Sequence, residues 1–268
     1  TFDVNGGSGS EASITGKIIS ELVTLPVPTS TKAGYIFGGW VNSGTTYPAG
    51  GTFIVGNADA AFSAVWVGNA NTIFYNANGA TGGTAPDNGS QATGSAYTVA
   101  SNRSSPDTLV KAGFTFAGWN TSANGTGVDY AVGATGLAST SNVTLYAKWT
   151  ATITYNANGA TGSPSRATDS FTFGSTPLSL PDKTGLTYAG YTFVGWSETT
   201  SGAAVVNPYS PTQTRTLYAI WAGISYSVSY NVNGGTGSVA EATYTTGSAG
   251  ITLNDGSSLS RTGYTFGG

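Results

Sequence analysis

Three short motifs return in the same order along this chain, and that repetition limits its fold more than any other feature. An aromatic, an Asx residue, a small residue, Asn and Gly form the first: Phe2-Asp3-Val4-Asn5-Gly6, Tyr75-Asn76-Ala77-Asn78-Gly79, Tyr155-Asn156-Ala157-Asn158-Gly159 and Tyr230-Asn231-Val232-Asn233-Gly234. Successive Asn residues of this motif lie 73, 80 and 75 positions apart. The second follows 35 to 41 residues after that Asn, as Gly34-Tyr35-Ile36-Phe37-Gly38-Gly39-Trp40, Gly113-Phe114-Thr115-Phe116-Ala117-Gly118-Trp119 and Gly190-Tyr191-Thr192-Phe193-Val194-Gly195-Trp196. The third closes each unit: Phe62-Ser63-Ala64-Val65-Trp66, Leu145-Tyr146-Ala147-Lys148-Trp149 and Leu217-Tyr218-Ala219-Ile220-Trp221. All 6 tryptophans fall on the second or third motif. Self-similarity at one period is the mark of a tandem array of small units rather than one large domain.

Each motif has a local meaning. Asn-Gly tolerates the two positive φ angles of a type I′ turn and is a strong hairpin signal. The residues before it alternate, as in Ile153-Thr154-Tyr155-Asn156, which is the period of a half-buried strand. Aromatics at i and i+2 in the second motif share one face of a strand, and the Gly before Trp predicts a bulge or close backbone approach there. Leu145, Ala147 and Trp149 of the closing motif likewise share a face. Helical periodicity is weak throughout, leaving at most one helical turn around 137–141 or 57–61. The fold class is therefore mainly β. Units are expected at 1–68, 69–150, 151–223 and, as a partial copy, 224–268. Only 9 to 12 positions separate a closing Trp from the next motif Asn, with no Pro- or Ser-rich linker. Such short junctions predict an elongated, semi-rigid rod.

Composition narrows the function. Charged residues are 8% of the chain, with 9 Lys+Arg against 12 Asp+Glu. That balance supplies no surface to neutralise nucleic-acid phosphates and no polybasic patch for anionic lipid. Aromatics at 12% exceed what a disordered chain carries. There is no Cys, Met or His, so the commonest metal ligands and general base are missing. No run of about 20 apolar residues marks a membrane span.

The motif order resembles the Listeria–Bacteroides repeat, also called the internalin B-repeat, over nearly the whole chain. That resemblance implies β-grasp-like modules, carried in tandem on bacterial and archaeal surface proteins as stalk or adhesive segments, mostly without catalytic residues. The chain departs from the usual pattern in lacking acidic and lysine-rich loops. Partners held electrostatically by charged members are therefore not implied for it.

Each candidate functional residue also has a plain structural role. The tryptophans could stack on sugar rings, but their fixed Gly and aromatic company favours packing. The expected structural core is Trp40, Trp66, Trp119, Trp149, Trp196, Trp221, Phe37, Phe116, Phe193, Tyr75, Tyr155 and Tyr230, with the two tryptophans of each unit in one core. Asp3 aligns with Asn76, Asn156 and Asn231 and so reads as an Asx-turn residue. Glu11, Glu21, Asp59, Asp129, Asp169, Glu198 and Glu241 do not recur in register, and no pair is marked for glycosidase chemistry. No catalytic, cofactor or metal site is expected. Lys32, Lys111 and Arg261 precede the motif Gly by two positions, where Tyr188 stands in the third unit, and read as charges on a solvated strand edge. Asn88, Asn102, Asn120, Asn124 and Asn142 head Asn-x-Ser/Thr sequons, all in the second unit, which leaves glycosylation open.

Three functions fit these features: an extracellular stalk or fibre, an adhesive module for a glycan or protein, or the passive array of a larger surface enzyme. The expected partners are neighbouring repeats, with further copies by strand addition as one option. If any surface is a recognition site, the long segments 82–108 and 121–142 of the second unit are expected to carry it, because loops on a fixed scaffold tolerate insertion. The fourth unit stops at Gly268 where the others place Trp, which predicts either that the chain continues or that a second copy supplies the missing strand.

Overall fold

A computed structural model describes residues 1–103 and 105–268. The described chain is all strand, turn and extended segment, with no helix. It divides into two compact units, Thr1–Thr150 with Thr172–Ser175, and Ala151–Phe171 with Thr176–Gly268. The first repeat contributes β1 (Phe2–Asp3), β2 (Leu22–Thr24), β3 (Tyr35–Asn42), β4 (Thr45–Tyr47), β5 (Thr52–Ile54) and β6 (Phe62–Gly68). The second contributes β7 (Ala70–Asn76), β8 (Gly89–Ala92), β9 (Thr115–Asn120), β10 (Asp129–Tyr130) and β11 (Val143–Asn156), whose last residues open the third repeat. The third continues with β12 (Thr161–Gly162), β13 (Thr168–Thr172), β14 (Leu186–Thr187), β15 (Tyr191–Ser197) and β16 (Arg215–Gly223). The fourth holds β17 (Ser225–Val228) and β18 (Ala242–Thr245).

One pairing scheme recurs. The first strand of a repeat runs parallel to its closing strand, and the closing strand runs antiparallel to the Gly-Tyr-x-Phe-x-Gly-Trp strand. In the first repeat Phe2 pairs with Phe62 and Phe37 with Trp66. In the second, Tyr75 pairs with Leu145 and Phe116 with Trp149. In the third, Tyr155 pairs with Leu217 and Phe193 with Trp221. Parallel neighbours cannot be joined by a tight turn, so the segment between them loops over the sheet. Among the described residues it crosses as extended chain, not as a helix. Leu137 sits in an isolated bridge with Tyr97 and residues 57–61 form bends and coil, so neither place expected to hold a helical turn does. Gly56 and Gly136 stand just before these stretches, and a single turn next to so flexible a residue does not repay the cost of its nucleation.

The bulge expected before Trp is present without ending the strand. Register shifts between Phe37 and Gly39 and between Phe193 and Gly195, and Gly39 and Gly118 hold φ of 134° and 102°. Alternation in β11 places Leu145, Ala147 and Trp149 in the core, all at most 1% exposed.

The Asn-Gly motif forms the expected turn but not a hairpin. Asn5, Asn78, Asn158 and Asn233 have φ of 47–50°, and the following glycines are also positive. After the turn, however, the chain bridges elsewhere, Ser8 to Thr31, Gly82 to Val110 and Thr236 to Ser260. In the first three repeats the strand before the turn is already engaged by the closing strand of its repeat.

Candidate functional site

The residues that recur are occupied by folding. Trp40, Trp119 and Trp196 are at most 2% exposed, and their indole N–H groups donate to Pro26 O, Ala100 O and Pro181 O at 2.9, 3.0 and 2.7 Å. These acceptors lie on the extended segment that crosses the sheet, so each indole pins that segment down. The closing tryptophans act on the turn instead: Trp66, Trp149 and Trp221 donate to Val4 O, Ala77 O and Ala157 O at 2.8, 3.1 and 3.1 Å. Trp149 is buried, while Trp66 and Trp221 are half-buried. One phenylalanine links both indoles of each repeat edge-on. Phe37 lies 5.0 and 5.8 Å from Trp40 and Trp66, Phe116 5.3 and 5.5 Å from Trp119 and Trp149, and Phe193 5.6 and 5.4 Å from Trp196 and Trp221. Tyr75 and Tyr155 are buried against Trp119 and Trp196 at 4.7 and 4.8 Å. Tyr230 is half-buried and its hydroxyl accepts from Asn254 N. Beyond residue 224 no described hydrophobic side chain is fully buried, and Tyr264 and Phe266 are exposed.

Around the turn the Asx residue and the Asn have separate tasks. Asp3, Asn76, Asn156 and Asn231 each accept the N–H two residues on at 2.8 Å. The Asn residues of the Asn-Gly pairs reach outward: Asn5 Nδ2 donates to Ala64 O, Asn78 to Ala147 O and Asn158 to Ala219 O, each at 2.9 Å.

The basic residues are not the strand-edge charges that their sequence positions suggest. Lys32, Lys111 and Arg261 donate to Asn5 O, Gly79 O and Asn233 O at 3.4, 2.6 and 3.2 Å. They also lie over rings, Lys32 at 5.0 Å from Tyr35, Lys111 at 3.5 Å from Phe173 and Arg261 at 4.5 Å from Tyr264. A turn carbonyl accepts readily from a cation, and the aromatic face attracts the same charged head. Burial pulls the Lys111 ammonium below its ordinary pKa. In the third repeat Tyr188 takes this place and stacks on Tyr191 at 4.3 Å. The signal was the shared spacing from Gly; the carbonyl that each cation meets lies 27 to 32 positions away in sequence.

The carboxylates are dispersed. Glu11 accepts the N–H groups of Ser30 and Thr29 at 2.9 and 2.7 Å, the Ser30 bond foremost in lowering its pKa. Asp129 bonds Lys148 Nζ and Asn120 Nδ2, both at 2.6 Å. Burial pushes its pKa up, but the Lys148 and Asn120 bonds outweigh this and leave it below the ordinary value. Glu198 meets Tyr209 Oη and Arg215, and Asp169 meets Tyr155 Oη and Arg166. Glu21 pairs with Lys17 at 2.7 Å, and among the described residues no bond or ion pair places Asp59 or Glu241 with any of these carboxylates. Among the described residues no three His, Cys, Asp or Glu side chains gather as a metal site would need.

The long segments of the second repeat are less loop-like than their length suggests. Segment 82–108 contains β8, and its Val99 is 1% exposed, while segment 121–142 supplies Leu137 at 2%. Both pack into the core with Trp119 and Trp149, because isolated apolar residues in a polar stretch still gain from burial. Ser104 lies outside the described residues. The largely exposed turn 121–128 is organised by buried Asn120, whose Oδ1 accepts from Ser122 N and Gly127 N. Asn120 and Asn102 are committed to such bonds, Asn102 with both N and O of Leu109. Asn120 thus cannot take a sugar in the folded chain, whereas Asn88, Asn124 and Asn142 are exposed.

Comparisons with known proteins agree with this architecture. The chain is 31% identical over 218 residues to a protein of Evansella cellulosilytica described as a Gly-rich membrane protein. The match covers 76% of this chain and 24% of the relative, so the chain spans about a quarter of that protein's length. No described helix is long and apolar enough to cross a membrane. The relative and the repeats together point to a cell-envelope or surface location. The family model of the Listeria-Bacteroides repeat domain matches residues 1–65, 72–148, 152–220 and 226–268, and the chain belongs to that family as a tandem array of four repeats.

Proposed function

We propose that this chain is a non-catalytic structural repeat segment, a stalk or fibre on the outside of a bacterial or archaeal cell. The observation that supports this reading is where the recurrent chemistry goes. In every complete repeat both indole N–H groups and the turn Asn are bound to main-chain carbonyls of the same repeat. Motifs kept for folding alone suit a part whose task is to be present in copies. The test is to remove single repeats from the protein that carries the array, displayed on its own cell. A stalk loses reach in proportion to the number of repeats removed, whichever they are. Loss of adhesion on removing the second repeat alone would reject the stalk.

That second outcome belongs to the adhesive reading, in which a surface glycan or protein binds the second repeat. Its support is the turn 121–128, where Asn124 Oδ1 gathers Ser122 Oγ and Thr126 Oγ1, both at 2.7 Å, on an exposed, ordered polar surface.

A further inference from the structure

Between the first and second repeats, and again between the third and fourth, one arrangement of atoms is repeated. The Gly-Tyr strand of the earlier repeat and the residue after its closing strand are joined by Asn69 N to Gly34 O at 2.9 Å, and by Ile224 N to Gly190 O at 2.8 Å. A turn of the later repeat then docks on this corner, through Thr93 N to Asn69 O at 2.9 Å and Thr246 N to Ile224 O at 3.0 Å. The turns are Ala92-Thr93-Gly94-Ser95 and Thr245-Thr246-Gly247-Ser248, closed by Ser95 N to Ala92 O and Ser248 N to Thr245 O. Gly94 and Gly247 hold φ of 84° and 82°, the positive value a type II turn needs at its third residue. A Cβ on those glycines would stand closer than van der Waals contact to Tyr35 Oη and Tyr191 Oη.

The other half of the contact is a glycine at the end of each closing strand. Gly68 and Gly223 are outside the left-handed region, so their backbone would accept any residue. What excludes a side chain is the partner: a Cβ on Gly68 would collide with Thr93 O, and one on Gly223 with Thr246 O. Thr93 is itself buried and accepts from Asn71 Nδ2 at 2.9 Å. After the second repeat the residues differ. Ala151 stands where the glycine was, Phe114 replaces Tyr, and the docking turn is Thr172-Phe173-Gly174-Ser175. There Phe173 N donates to Trp149 O at 2.9 Å and its ring meets Phe114 at 5.7 Å. The span from closing Trp to motif Asn is 9 positions there, against 12 at the other two junctions.

We propose that the Gly68 and Gly223 corners are sockets specific for a Thr-Gly-Ser turn, and that they weld the first repeat to the second and the third to the fourth. The cooperative unit of the array is then a pair of repeats. The two glycine sockets each fall inside one compact unit, and the boundary between units falls in the stretch from Thr150 to Thr176, where the socket glycine is absent. A side chain excluded by a main-chain oxygen leaves no slack, so neither repeat of a pair can shift alone. The inference concerns cooperativity and stands or falls apart from the stalk reading.

The full chain pulled between its ends in a single-molecule experiment tests this. The wild type is expected to yield in two steps, each releasing roughly half of the contour length of the chain. Gly68→Ala should split the step of the first pair in two and leave the other intact, and Gly223→Ala should do the converse. Gly56→Ala, at a glycine with nothing within 4 Å of its Cβ position, should change nothing. One step or four from the wild type overturns the proposal without recourse to any variant, as does an unchanged step pattern in both socket variants.

Discussion

Asn78 donates its side-chain amide to the carbonyl of Ala147, 69 residues further on, at 2.9 Å. The same Nδ2 reaches Ala123 O at 2.8 Å, so one amide ties the first turn of the repeat to its closing strand and to a loop. Asn78→Ala removes both bonds and puts a residue with no local hydrogen bond at φ 49°, at a cost of about 2–3 kcal/mol. Asn78→Asp is expected to be worse, because a carboxylate then faces two carbonyl oxygens. Urea unfolding of the two variants orders them, and a milder Asp variant would reject the clamp.

The indoles should differ in worth by position. Trp119 is fully buried and holds Ala100 O, so Trp119→Ala should cost about 3–5 kcal/mol. Trp66 is half-buried, and Trp66→Ala should cost less. Thermal unfolding followed by tryptophan fluorescence compares them; equal losses would contradict the difference in burial.

Gly118 carries the bulge before Trp119. Its φ is 102°, and a Cβ there would stand 2.7 Å from Tyr130 O. Gly118→Ala therefore strains the backbone and pushes β10 away, at about 2–4 kcal/mol. Circular dichroism and urea titration of this variant, against Gly133→Ala with open space around a similarly positive φ, separate the contact from the dihedral cost.

Alkali should loosen the second and third repeats. Burial, foremost, raises the phenol pKa of Tyr75 and of Tyr155 above the ordinary value. The folded chain thus keeps protons that the unfolded chain releases near pH ~10. Stability from this source is complete below that pH and falls as pH rises above it. With no His present, melting temperature should be flat through neutral pH and drop in alkali. Tyr75→Phe with Tyr155→Phe should lessen that drop, though losing the Ala100 N partner of Tyr75 Oη lowers the plateau by about 1 kcal/mol.

What could be read from sequence was what is local. Alternation through Leu145, Ala147 and Trp149 shows which residues face inward, because a strand repeats every two residues. The positive φ of Asn78 is legible because few residues other than Gly tolerate it. The partner of that turn was not legible, since Ala147 O is a main-chain atom and leaves no trace in composition. Lys111 misled for the same reason: it bonds Gly79 O and covers Phe173, 32 and 62 positions away. Segments 82–108 and 121–142 read as loops because Val99 and Leu137 stand alone among polar neighbours, and a single buried residue makes no period.

In β11 the buried residues run Leu145, Ala147, Trp149, Ala151, Ile153 and Tyr155 without a change of parity. Two repeats therefore share one reading frame of inward and outward positions. Losing or gaining one codon within Val143–Asn156 would invert every side chain on one side of the lesion, whereas duplicating or deleting a whole period keeps the frame. Genes for such arrays can change copy number by recombination between repeats, yet should resist small insertions at the seam, the opposite of what holds for proteins whose domains are joined by linkers.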